Sequence, residues 1–186
     1  MIERWLNEEH HGWYGRPWAL GYHAADFLRK HCINSQDSVI DIGCGAGRIA
    51  QWVVPKVARY VGVEPHDLSR EAFEYEMGLI GYDGDVAVYP SIPEAVTHQD
   101  ELFDVALLFS VLQHLDNTKW VEAIRGTHSA LKTGGFAIIA PGPLRGLHDT
   151  ELLLGFEHIH TETQQHPFLT GTRWQDWTEW TMWRKR

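Results

Sequence analysis

A doubly wound α/β fold is expected from this chain of 186 residues: a mostly parallel sheet of about seven strands, finished at one edge by an antiparallel C-terminal hairpin. Three observations predict it. Short apolar runs alternate with stretches of helical periodicity between residues 36 and 141, and such alternation makes a parallel sheet with right-handed crossovers. A glycine-rich run, Gly43-Cys-Gly-Ala-Gly47, follows the first apolar run at once. Beyond Pro143 the rhythm breaks into two polar, β-leaning stretches.

The elements follow in order. Residues 1–35 hold an aromatic arm, with Trp5, Trp13, Tyr14, Trp18 and Tyr22 broken by Gly12, Gly15 and Pro17, leading into a helix near Tyr22–His31. Asn34-Ser-Gln-Asp is turn chemistry. Val39–Ile42 is a strand, and after the glycines Ile49, Trp52 and Val53 share a helical face that Pro55 stops. Tyr60–Val63 is the second strand, ending in Glu64-Pro65. Asp67 then caps a helix whose face is Phe73, Met77 and Ile80, closed by Gly81. Val86–Tyr89 is a third strand with a short polar connection after it. Phe103–Phe109 is a fourth, continuously apolar as a strand covered on both faces must be. Asn117 caps a helix bearing Trp120, Ile124 and Leu131, stopped by Gly134-Gly135, and Phe136–Ala140 is the fifth strand. A short helix at Thr150–Leu154 precedes the closing hairpin, Phe156–Thr163 with Glu179–Trp183.

Length and composition bound the function. One domain covers 1–186, with 36–141 as its ligand-binding core and 142–186 as a Trp-rich hairpin, since domains usually run to roughly 100–200 residues. Hydrophobic residues make up 44% and charged residues 22%, which is globular composition. Asp+Glu number 25 against 16 Lys+Arg, a formal charge of −9, so a basic grip on nucleic-acid phosphates is not expected. Two cysteines, Cys32 and Cys44, make no disulfide framework and suit a reducing cytoplasm. Met1-Ile-Glu-Arg-Trp lacks the features of a signal peptide, and runs such as Val105–Phe109 are too short to span a bilayer, so no membrane partner is expected.

The glycine run sits between a strand and a helix, where glycines permit positive φ and close ligand approach, and where a helix start offers free N–H groups. A dinucleotide fingerprint needs its third glycine where Arg48 stands, and no Gly-Lys-Ser/Thr follows to make a phosphate-binding P-loop. With its preceding strand the motif reads Val39-Ile-Asp41-Ile-Gly43-Cys-Gly45-Ala-Gly47, and in that form it resembles the class I (Rossmann-like) S-adenosylmethionine-dependent methyltransferases. The likeness extends to Glu64 at the end of the second strand, to Phe103–Leu115 and to Leu131–Ile139, covering about residues 36–141 in family order.

The resemblance implies S-adenosylmethionine as cofactor, with S-adenosylhomocysteine as product. It assigns cofactor contacts to Asp41, Gly43, Cys44, Gly45, Gly47, Glu64, Pro65, Ser91, Ile92, Phe109, Ser110 and Gln113. Glu64 would bind the two ribose hydroxyls, for which a carboxylate is a good bidentate acceptor. Many members carry an acid after the third strand to reach adenine. Here Tyr89-Pro-Ser91-Ile92 departs from that pattern and leaves Ser91 or the Ile92 backbone for the task. His114 is the candidate base, because imidazole accepts a proton near neutrality; the other role for it is to hold its loop by hydrogen bonds. Tyr14, Arg16, Trp18 and Tyr22 are candidates for the acceptor pocket and a lid, or else the rings pack on the core.

The remaining features divide the reading. A small-molecule hydroxyl, carboxylate or amine is the expected methyl acceptor. The alternatives are other chemistry on the same cofactor, or a non-catalytic cofactor-binding subunit. His158-x-His160 would share one strand face, yet no spaced ligand set such as His-Glu-x-x-His appears, and no metal is expected. Trp174, Trp177, Trp180 and Trp183 recur every third residue. A strand burying alternate rings fits better than a helical stripe, and an exposed remainder would offer a homodimer contact.

Overall fold

The computed structural model describes residues 17–81, 84–142, 155–165 and 177–186. Tyr14, Arg16 and the helix expected at Thr150–Leu154 lie outside these, as do the side chains of Trp18 and Tyr22. Helix α1 spans Pro17–His31, beginning five residues earlier than the sequence suggested, with proline in the first turn where its missing N–H is harmless. Strand β1 is Ser38–Ile42, followed by the short helix α2, Ala50–Val53, and a 3-10 turn at Val54–Lys56. Then come β2 (Arg59–Val63), α3 (Asp67–Leu79), β3 (Asp85–Tyr89), α4 (Ile92–Thr97), β4 (Phe103–Phe109), α5 (Asn117–Ala130) and β5 (Leu131–Gly142). Strands β6 (Phe156–Gln165) and β7 (Trp177–Lys185) complete the set.

The sheet order is β3-β2-β1-β4-β5-β7-β6. The first five strands in that order pair in parallel, and β7 pairs antiparallel with both β5 and β6. The chain winds outward from β1 through β2 to β3, then crosses back to place β4 on the other side of β1. That reversal makes the carboxyl ends of β1 and β4 the crevice of the fold, where doubly wound sheets bind their ligands.

Strand β4 shows why a continuous apolar run belongs in the middle. Val105, Leu107 and Phe109 join the apolar cluster on one face of the sheet, and Phe103, Ala106 and Leu108 join that on the other. The hairpin feeds both clusters: Trp180 and Met182 enter the first, while Trp183 and Phe156 enter the second. Trp180 and Trp183 are therefore core residues, 3% and 6% exposed, and are not a face for a second copy.

Several boundaries differ from expectation, each for a local reason. The N-cap of α3 is His66 in extended conformation; Asp67 is the first helical residue and pairs with Arg70. Phe73 and Met77 are buried, but Ile80 sits past the helix end beside Gly81 and is 44% exposed. The polar connection after β3 holds helix α4, capped by Ser91, whose hydroxyl accepts from the Glu94 N–H at 3.4 Å and donates to the Glu94 carboxylate at 3.0 Å. Ser91-Ile-Pro-Glu94 is a capping-box sequence. Helix α5 is capped by Asp116, not Asn117, through the Lys119 N–H at 3.0 Å. It ends at Ala130, so Leu131 and Gly134-Gly135 belong to β5. There the pairing with β4 shifts register, and Gly134 turns at φ +82°.

The paired histidines of β6 do not share a face. The register with β7 slips between His158 and His160, with Ile159 as the extra residue of a bulge. His158 meets the Trp183 ring at 4.8 Å, whereas His160 stacks with Phe27 on the opposite face.

Candidate functional site

Three loops meet at the carboxyl ends of β1, β2 and β4. The first is the glycine run, in which Gly43, Gly45 and Gly47 all take positive φ, +73°, +55° and +85°. Its glycines are needed for different reasons. A Cβ on Gly43 would lie 2.5 Å from Val111 Cγ2, so that residue is the contact between the glycine loop and the loop after β4. A Cβ on Gly47 would press on Phe73 and Met77 of α3, both at 3.1 Å. A Cβ on Gly45 would meet nothing within 4 Å, so that side of the loop faces open space.

Backbone bonds stitch this loop to β2: the Gly43 and Cys44 N–H groups donate to the Val63 carbonyl at 2.7 and 3.2 Å. Glu64 continues the stitch with its side chain. One carboxylate oxygen accepts from the Gly45 N–H at 3.2 Å and the other from the His66 N–H at 2.9 Å. Arg70 holds the Glu64 carbonyl at 2.7 Å from the first turns of α3. The result is a half-buried carboxylate beside the open face of Gly45, with further lone pairs for hydroxyl donors. Pro65 follows it, exposed.

The third loop follows β4. Ser110 has φ +58° and is the non-glycine residue with positive φ among the described residues; its N–H donates to the Ala140 carbonyl at 2.7 Å. Left-handed backbone at such a residue costs about 1–2 kcal/mol, and strain of this kind concentrates at functional sites. A 3-10 turn, Leu112–His114, comes next and leaves Gln113 and His114 exposed. The His114 N–H closes the turn on the Val111 carbonyl at 3.0 Å.

Other sequence-selected side chains point into the core. Asp41 is 2% exposed and accepts a hydrogen bond from the Tyr60 hydroxyl. Burial pushes its carboxyl up to about 7, against the lowering effect of that bond. The Cys44 thiol lies on Gly62, whose Cβ would come 2.6 Å from the sulfur, and burial pushes it far above the usual thiol range. Phe109 is 5% exposed and meets Trp180 edge-on at 5.0 Å. The Ile92 side chain packs toward Gly126 of α5, and the Ser91 hydroxyl is engaged in its cap. At Asp41, Cys44 and Phe109 burial leaves backbone groups for a ligand, while Ser91 and Ile92 are half-buried. Sequence reasoning missed Tyr60, Gly62 and Val111 as supports. A glycine inside a strand was the available signal for Gly62, because it marks close approach of another group.

Glycine loop, strand-end carboxylate and strained post-β4 turn lie together at the topological switch point of a doubly wound sheet, where that class of protein binds its ligands. A family model described as a methyltransferase domain matches residues 18–184, and the chain belongs to that family. A ubiquinone biosynthesis O-methyltransferase from Azoarcus sp. (strain BH72) is 28% identical over 116 residues, 59% of this chain and 46% of that protein. The chain spans about half the length of the curated relatives it matches. The N-methyltransferase NodS from Bradyrhizobium japonicum WM9, solved with S-adenosyl-L-homocysteine, superposes with a TM-score of 0.68 at 15% identity, covering 99% of this chain and 96% of that one. An rRNA methylase from Streptococcus thermophilus superposes with a TM-score of 0.60 at 14% identity, over 88% and 94% of the two chains. At these identities the structural likeness is one of fold.

Proposed function

We propose that this protein is an S-adenosylmethionine-dependent methyltransferase acting on a small molecule through a hydroxyl, carboxylate or amine. The observation that carries the reading is the Glu64 carboxylate, fixed at hydrogen-bond distance from the Gly45 N–H beside space that a side chain at Gly45 would fill. This arrangement fits a ribose with two adjacent hydroxyls lying over the glycine loop. When bound, the cofactor supplies a methyl on a positively charged sulfur, which leaves by in-line displacement. The chain's own work is to align the acceptor and exclude water. The glycine loop and Glu64 hold the nucleoside, and backbone groups at Ser91–Ile92 serve the adenine. Ser110 and Gln113 border the acceptor side, where His114 takes the proton of a hydroxyl. An exposed ring without a hydrogen bond to a described residue supports the base over a loop-holding role. The net charge of −9 favours a small acceptor over nucleic acid, and a cytoplasmic location accords with two unpaired cysteines. Among the described residues no helix is long and apolar enough to cross a membrane.

Titration calorimetry with S-adenosylhomocysteine tests the reading. Glu64→Ala removes charge-assisted bonds worth roughly 1.5–3 kcal/mol each, so affinity should fall at least about tenfold with the fold intact by circular dichroism. Unchanged binding in a folded Glu64→Ala variant sinks the assignment.

A further inference from the structure

At the end of α1 and on the outer strand β6, three metal-competent side chains converge. His31 Nε2 lies 2.9 Å from Glu162 Oε2, His160 Nε2 lies 3.7 Å from the same oxygen, and the three ligand atoms all lie within 4.8 Å of one another. The bulge at Ile159 makes this meeting happen. Without the extra residue His160 and Glu162 would point to the other face of the sheet, away from α1. The two imidazoles lie 4.7 Å apart between ring centres, and the Phe27 ring packs against both, 4.6 Å from His31 and 6.4 Å from His160.

An ion pair alone uses this geometry poorly. One carboxylate oxygen faces two imidazole nitrogens, and only His31 reaches it at hydrogen-bond distance. His160 Nε2 is sealed from solvent with no hydrogen-bond partner among the described residues. A divalent cation engages all three groups. Bonds of about 2.0–2.2 Å to zinc place tetrahedral ligand atoms about 3.3 Å apart, which falls between the two imidazole-to-carboxylate separations, and the two imidazole nitrogens lie within 4.8 Å of each other. Two imidazoles with one carboxylate are a zinc-type donor set, too rich in nitrogen for calcium or magnesium, and three protein ligands leave a fourth position for water. The ammonium of the neighbouring Lys30 makes its direct ion pair with Asp26, at 2.7 Å.

We propose that His31, His160 and Glu162 bind a zinc-type divalent cation that clasps the edge strand β6 to α1. The site stands apart from the glycine loop: β6 is four strands from β1 in the sheet, about 19 Å at the usual strand spacing. It is independent of the methyl-transfer reading.

The test is zinc chloride titrated into the full-length protein after chelator treatment, followed by calorimetry and thermal melting. One ion per chain with micromolar or tighter affinity and a raised melting temperature are expected. Glu162→Gln and His160→Ala should each weaken binding at least tenfold. Absence of binding overturns the site, and so does equal binding in folded variants, which would place the ion among others of the 12 histidines. Should the variants fail to fold, zinc-edge anomalous scattering from wild-type crystals decides: a peak within bonding distance of the three side chains supports the clasp, and a peak elsewhere or none refutes it.

Discussion

Asp41 and Tyr60 occupy the floor beneath the glycine loop, a buried acid bonded to a buried phenol. Because burial raises the Asp41 carboxyl from 3.8 to about 7, the folded state holds its proton more tightly than the unfolded state. Stability from this group is complete below pH 3.8 and is lost as pH rises through about 7. Asp41→Asn does not titrate, so its stability relative to wild type should rise across that window, by at most roughly 1.4 kcal/mol per pH unit. Urea unfolding of both proteins at pH 4.5, 6 and 8, taken as about three points across the window, checks this; parallel profiles would show that the acid is not strained by burial. His114 is the other residue-scale test. For a hydroxyl or phenol acceptor, His114→Ala should slow methyl transfer about 10²–10⁴-fold with cofactor affinity little changed. A mild rate effect would leave alignment as the main source of catalysis.

At the level of elements, helix starts show what local sequence conveys and what it does not. The alternation of strand and helix and the glycine loop were legible because each depends on residues close together in the chain. The cap of α5 was legible only to within one residue, since Asp116 and Asn117 are both good caps. The structure chooses Asp116, so Asp116→Ala should destabilise by about 1 kcal/mol, measured by denaturant unfolding. Other features are tertiary and left no local trace. Gly43 answers to Val111, and Gly47 to Phe73 and Met77. The bulge at Ile159 turned the face that strict alternation assigned to His160, which is why His31 was not read as its companion.

For the molecule as a whole, the C-terminal hairpin is structural to both faces of the sheet. Trp180 and Met182 close one apolar cluster, and Trp183 and Phe156 the other. Lys185 also holds the end of α5 through the His128 and Leu131 carbonyls, at 2.8 and 2.7 Å. Residues 36–141 should therefore not fold as a separate unit. Trp180→Ala is expected to cost about 3–5 kcal/mol, a large part of the 5–15 kcal/mol usual for a domain. A chain truncated after Gly142 that still gave a cooperative thermal transition would show the hairpin to be an appendage.

The position of β7 between β5 and β6 also dictates an order of events as the chain is made. Among the described residues β6 has one neighbour in the sheet, and that neighbour is synthesised after it. Strands β1 to β5 have pairing partners among themselves, although their core is closed only by the hairpin, while β6 must wait, its amide groups unpaired, until Trp177–Lys185 has emerged. The edge of the sheet, and with it the meeting of His160 and Glu162 with His31, is then the last part to form. A stalled or shortened product would carry β6 as a loose, pairing-prone strand, so the nascent chain is most open to aggregation in the interval before its final strand arrives.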